Sequence, residues 1–266
     1  MARSSRSSSE PAYGREVAAA DPFRRRDPEA ASRAAERDVH VYGHGSVCST
    51  DARGRRTPDG LSLDELVLDA SEGFIPLWAP GVILRWRFQE QSLAGYADPE
   101  AAKTAIRQLL GAAVLAWGDA APVKFAERDD AWDFEVVVRE ADRCTLAGCV
   151  LASAFFPDAG RHELRIYPKL FEQPRDEQIE TLVHEIGHVF GLRHFFANIS
   201  ETQWASQIFG EHNSFSIMNY GAQSSLTDTD RADLKRLYEL VWNGELEEVN
   251  GTRIQLMEPF SANRIV

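Results

Sequence analysis

The sequence predicts an α/β fold of the α+β kind, a twisted mixed sheet of five strands backed by two helices. Two observations carry this. Apolar residues recur at alternate positions, then at helical spacing, then at alternate positions again. The resulting order is strand, long helix, several strands, second long helix.

The first strand is "VILRWRF", where Val82, Leu84, Trp86 and Phe88 alternate with Ile83, Arg85 and Arg87. Asp98 and Pro99 then supply a cap and a first-turn residue for a helix. Its apolar side collects Ala102, Ile106, Leu109, Leu110, Ala113, Val114 and Trp117. Further strands are expected at Pro122 to Ala126, at "FEVVVRE" from Phe134 to Glu140, in "CVLASAFF", and in "LRIY" before Pro168. The second long helix should begin near Glu177 and pack through Ile179, Leu182, Val183, Ile186 and Phe190. A third is expected with Thr227 or Thr229 near its start, Leu234, Leu237, Tyr238 and Val241 on its buried side, and Asn243 and Gly244 at its end.

Length and charge bound the function. A chain of 266 residues with 44% hydrophobic content can bury a large core. Its formal charge of −12 repels nucleic acid, which is not expected as a partner. No run of eighteen apolar residues exists, so no transmembrane segment is expected. "VAAA" at Val17 to Ala20 is interrupted by Asp21, so no signal peptide is evident; the sequence leaves open a cytoplasmic location, a leader removed before this numbering begins, and export by a non-standard route. Residues 1–35, rich in Ser, Ala, Arg and Pro, read as a disordered tail; residues 36–76 read as an attached extension. Three cysteines are too few for a disulfide scaffold, although Cys144 and Cys149 in "CTLAGC" could close a tight loop in an oxidising compartment.

The chemistry is concentrated in "TLVHEIGHVFGLRH", residues 181–194. His184 and His188 are four apart, so both imidazoles leave one helix face. Gly191 can adopt the left-handed conformation that ends a helix, returning His194 as a third ligand. Three neutral imidazoles leave one position open on Zn2+, the pattern of a catalytic site. Glu185 is not expected to ligate; it can accept a proton from an attacking water and deliver it to a leaving amine. Peptide hydrolysis is the natural outcome.

His184, Glu185, His188, Gly191 and His194, followed by "SIMNYG" at Ser216 to Gly221, resemble the extended zinc motif and Met-turn of the metzincin metallopeptidases. The resemblance covers about residues 77–243. It implies a zincin fold with a mixed five-stranded sheet, an active-site helix, a backing helix and a smaller C-terminal subdomain after the zinc motif. The catalytic domain would span 77–266. Met218 would form an apolar floor beneath the metal without coordinating. The sheet region is similar to matrixins, whereas Tyr220 resembles the tyrosine that astacins and serralysins use to stabilise the tetrahedral intermediate. Phe195 after the third histidine matches neither pattern, so the label is a divergent metzincin.

"LASAFFPD" matches the part of that fold supplying the upper edge of the cleft, which implies an extended peptide or protein substrate held through backbone hydrogen bonds. A monomer is expected. The aromatic and aliphatic residues Phe195, Phe196, Trp204, Ile208 and Phe209 read equally as pocket or as core. Cys48 raises a zymogen reading, because a matrixin pro-segment places a cysteine on zinc; the surrounding "GSVCSTDARG" departs from the usual motif. His212, and the pair His40 and His44, lack close partners and are left out of the site. "ERDDAWD" at Glu127 to Asp133 and "TDTDRAD" at Thr227 to Asp233 offer oxygens that suit a structural Ca2+. Neither has EF-hand spacing, so a solvated turn and a helix cap are the simpler readings. The rival function is a zinc-containing peptide-binding or inhibitory protein that has lost turnover; Glu185, dispensable for metal affinity, argues against it.

Overall fold

The computed structural model describes residues 21–24, 40–41, 46–48, 66–70, 73–145, 148–194, 206–209, 216–218 and 224–264. Along the chain the strands and helices are β1 (His40–Val41), β2 (Ser46–Cys48), β3 (Leu66–Asp69), β4 (Ile75–Trp78), β5 (Ile83–Phe88), α1 (Glu90–Leu93), α2 (Pro99–Trp117), β6 (Lys124–Glu127) and β7 (Phe134–Val138). They continue as β8 (Arg143–Thr145), β9 (Gly148–Val150), β10 (Ala152–Ser153), β11 (His162–Ile166), α3 (Arg175–Val189), β12 (Ser206–Phe209), α4 (Asp228–Trp242), β13 (Glu248–Val249) and β14 (Thr252–Met257). The central sheet has five strands in the order β10-β11-β7-β5-β6. All its pairings are parallel except β10 with β11, so β10 is an antiparallel edge.

Local chemistry sets the helices. The Asp98 carboxylate accepts from the Ala101 N–H at 2.9 Å and Pro99 opens α2, whose apolar stripe from Ala102 to Trp117 is buried. Thr227 and Asp230 form a reciprocal capping box at the start of α4. The expected helix near Glu177 begins two residues earlier, at Arg175. "CVLASAFF" is divided: Gly148–Val150 belongs to a hairpin with β8, and Ala152–Ser153 belongs to the central sheet. Cys144 stands opposite Cys149 in that hairpin, and the two are joined as a disulfide.

Two strands within the segment read as an extension take part in the surrounding structure. β3 pairs with β12 and bridges Leu192 through Leu68; β4 pairs in parallel with β14 near the other end of the chain. Leu68, Ile75 and Leu77 are fully buried. In the region read as a tail, Phe23 stacks on Phe171 at 3.6 Å, and the Ala97 N–H donates to the Arg24 carbonyl at 2.8 Å.

The stretch Glu127–Asp133 is only partly a solvated turn. Asp133 is 1% exposed; its carboxylate accepts from the Arg85 N–H, the Ser261 N–H and the Ser261 hydroxyl, which ties the C-terminal segment to β5. In the second acidic stretch the Asp230 carboxylate accepts from the Thr227 N–H and hydroxyl. These carboxylates act as backbone caps. Among the described residues, no helix is long and apolar enough to cross a membrane.

Candidate metal centre

The site is assembled where α3 ends. Gly191, at φ +92°, closes the helix in a Schellman arrangement: the Leu192 N–H donates to the Gly187 carbonyl at 3.0 Å and the Gly191 N–H to the His188 carbonyl at 2.9 Å. An alanine there would be strained by the backbone angle, and its Cβ would lie 3.2 Å from the Pro76 carbonyl oxygen. The remaining C-terminal carbonyls also find donors. The Trp78 indole N–H donates to Val189 at 2.7 Å and the Tyr238 hydroxyl to Phe190 at 3.0 Å. The helix end is thereby fixed from two directions, and the turn after it carries His194 back.

His184, His188 and His194 converge, all buried. The Nε2 atoms of His184 and His194 are 3.0 Å apart, those of His184 and His188 3.1 Å. Three nitrogens around a tetrahedral zinc at its usual bond length would stand about 3.3–3.4 Å apart. The observed spacings come within a few tenths of an ångström of that. Tautomers follow from the outer partners: His184 Nδ1 is 2.8 Å from the Ile217 carbonyl and His188 Nδ1 is 2.7 Å from the Leu192 carbonyl. A carbonyl only accepts, so each Nδ1 carries the proton and each Nε2 directs a lone pair inward. Neutral nitrogen donors of this kind suit a divalent zinc ion, and the residues present fit it.

Met218 is buried against α3 at Gly187. A Cβ built on Gly187, between the two helical ligands, would lie 2.6 Å from its Sδ and 3.4 Å from the Trp117 ring. The segment Ser216–Met218 is held by the Ser216 hydroxyl, which accepts from the Met218 N–H, and by Asp230, which accepts from the Ile217 N–H at 3.4 Å. Trp117 supports α3 from behind, its indole N–H donating to the Val183 carbonyl at 3.1 Å. Phe156, beyond the β10 edge, meets the His188 ring edge-to-face at 5.4 Å.

Of the other sequence-derived candidates, Glu185 directly follows His184 on α3 and is 1% exposed. Cys48 ends β2, which pairs in parallel with β9 and antiparallel with β1. Tyr220, Phe195, His44 and His212 lie outside the described residues. Sequence reasoning missed the carbonyls of Ile217 and Leu192, together with Trp78 and Asp230. Only the Thr227-x-x-Asp230 spacing carried a signal for any of these.

Fold and site together define a class: an α+β protein of metzincin-like zincin arrangement with a three-histidine centre able to coordinate a metal ion. No family model matches the chain, and no curated protein matches it. Among solved structures, two of myroilysin are similar at 14% identity. One has a TM-score of 0.43, covering 65% of this chain and 98% of that one; the other has a TM-score of 0.41, covering 61% and 85%. High choriolytic enzyme 1, a hatching enzyme zinc-protease from the medaka fish Oryzias latipes, is similar at 14% identity with a TM-score of 0.37, covering 69% of this chain and 98% of that one.

Proposed function

We propose that this protein is a zinc-dependent endopeptidase acting on extended peptide or protein substrates. The observation that carries the reading is the convergence of three Nε2 lone pairs, two of them fixed in tautomer by backbone carbonyls, beside Glu185 on the same helix. Bound there by His184, His188 and His194, zinc would supply Lewis acidity toward the scissile carbonyl and lower the pKa of water. Glu185 would take the proton of the attacking water and pass it to the leaving amine. Tyr220, two residues beyond Met218, would donate a hydrogen bond to the carbonyl oxygen as its charge develops. The short β10 edge would receive the substrate backbone.

Control would come from the N-terminal extension at 36–76. β2, which ends at Cys48, pairs in parallel with β9, the strand that precedes β10 along the chain. In this reading Cys48 and its strand restrain the site, and activation removes chain before Leu66 while leaving β3 and β4 in place. Equal activity before and after such removal would dismiss it.

The central experiment is digestion of a peptide library by wild type and Glu185→Ala, with zinc quantified in both. The expected result is cleavage by wild type, a loss of about 10²–10⁴-fold in the variant, and undiminished zinc. Cleavage by the variant at the wild-type rate overturns the role of Glu185. Zinc in both proteins with cleavage by neither favours a peptide-binding protein.

A further inference from the structure

We propose that Asp69 and Arg193 form a buried ion pair that positions His194, and that these are positioning residues of the metal centre. The inference rests on the three-histidine metal reading. Arg193 is 0% exposed and immediately precedes the third ligand, yet a guanidinium removed from water requires an anionic partner. Several of the other buried charged residues are already engaged elsewhere. Lys103 contacts Glu90 and Glu100, Asp133 holds Arg85 and Ser261, and Asp230 caps α4. Among the described residues, Asp69, 2% exposed, and Glu185, 1% exposed, are the other buried acids.

Backbone register favours Asp69. Leu68 and Leu192 form an antiparallel bridge, and the Asp69 N–H donates to the Gly191 carbonyl at 3.0 Å. Asp69 therefore stands opposite Gly191, with Arg193 diagonal to it. Because side chains alternate across a strand, Asp69 and Arg193 share the face opposite Leu68 and Leu192. Diagonal neighbours on such a ladder are about 7–8 Å apart, a span that a long side chain bridges. Gly191 contributes no side chain between them. The pair would anchor the turn after α3 to β3, limiting the directions His194 can take.

The test is a double-mutant cycle in the full chain: Asp69→Asn, Arg193→Gln and the double variant. Zinc dissociation constants are measured by chelator competition, and melting temperatures are recorded without metal. Each single variant is expected to weaken zinc binding about 10- to 100-fold, and the double variant to lose no more than the worse single. Val249→Ala, a core truncation in the β13–β14 hairpin, serves as a control that lowers stability while leaving zinc affinity unchanged. If the single losses multiply in the double variant, or if the variants melt earlier but bind zinc as wild type does, the proposal is overturned. Should the variants not fold, a crystal structure of wild type decides: guanidinium and carboxylate within about 3 Å uphold it, and an Arg193 turned to Glu185 or to another acid refutes it. A wild type that takes up no zinc defeats the metal reading, while the melting cycle and crystal structure still decide the pair.

Discussion

Replacing Gly187 with alanine sets two effects of known size against each other. In an ordinary helix interior the change gains about 1 kcal/mol from backbone propensity. Here the new Cβ would meet Met218 Sδ at 2.6 Å, inside any real contact distance, with the Trp117 ring at 3.4 Å on another side. Met218 is buried and must shift, and forced overpacking of this kind costs about 1–3 kcal/mol. The net expectation is a loss of about 1 kcal/mol, opposite in sign to helix propensity. Urea denaturation of the metal-free protein measures it. In a Met218→Ala background the obstruction is gone, so the same substitution should stabilise by about 1 kcal/mol. Zinc affinity should fall in the single variant, because Met218 follows Ile217, whose carbonyl orients His184. A Gly187→Ala change that stabilises equally in both backgrounds would refute the packing argument.

Tyr238→Phe removes the donor to the Phe190 carbonyl and the acceptor of the Trp78 N–H, both buried, and should cost about 1–3 kcal/mol in denaturation while weakening zinc binding. Thr227→Ala removes half of the capping box and should cost about 1 kcal/mol; an unchanged denaturation midpoint would show that the cap is redundant. Partial burial, followed by Asp176 and Glu177, raises the Glu180 carboxyl pKa above its ordinary 4.5. The unfolded chain then releases that proton more readily, so stability falls as pH rises through this window. Glu180→Gln should therefore raise the melting temperature at pH 7 and change it little near pH 4; an equal gain at both would contradict the assignment.

Local signals were the legible ones. Asp98–Pro99 and Thr227 could be placed because capping chemistry involves neighbours, and the four- and six-residue spacings of the histidines are helical geometry followed by a turn at Gly191. The central sheet was readable as apolar runs, four of its strands with boundaries off by a residue or two, whereas "CVLASAFF" proved to be split between two sheets with only Ala152–Ser153 in the central one. Backbone carbonyls leave no trace in side-chain identity, so the partners of His184 and His188 could not be foreseen. Asp133 looked solvated because it ends a charged stretch and its own partner, Ser261, lies far along the chain. β14 escaped notice for the same reason: its exposure pattern is that of a surface strand, and its parallel mate is β4.

That last pairing has a consequence for how the molecule matures. Ile254 sits opposite Ile75 and Met257 opposite Trp78, and the Trp78 indole completes the end of the helix bearing two of the three histidines. Distant segments must meet before this contact is secured, a slow step in any folding reaction. An isolated peptide spanning α3 would therefore lack this closure of the helix end.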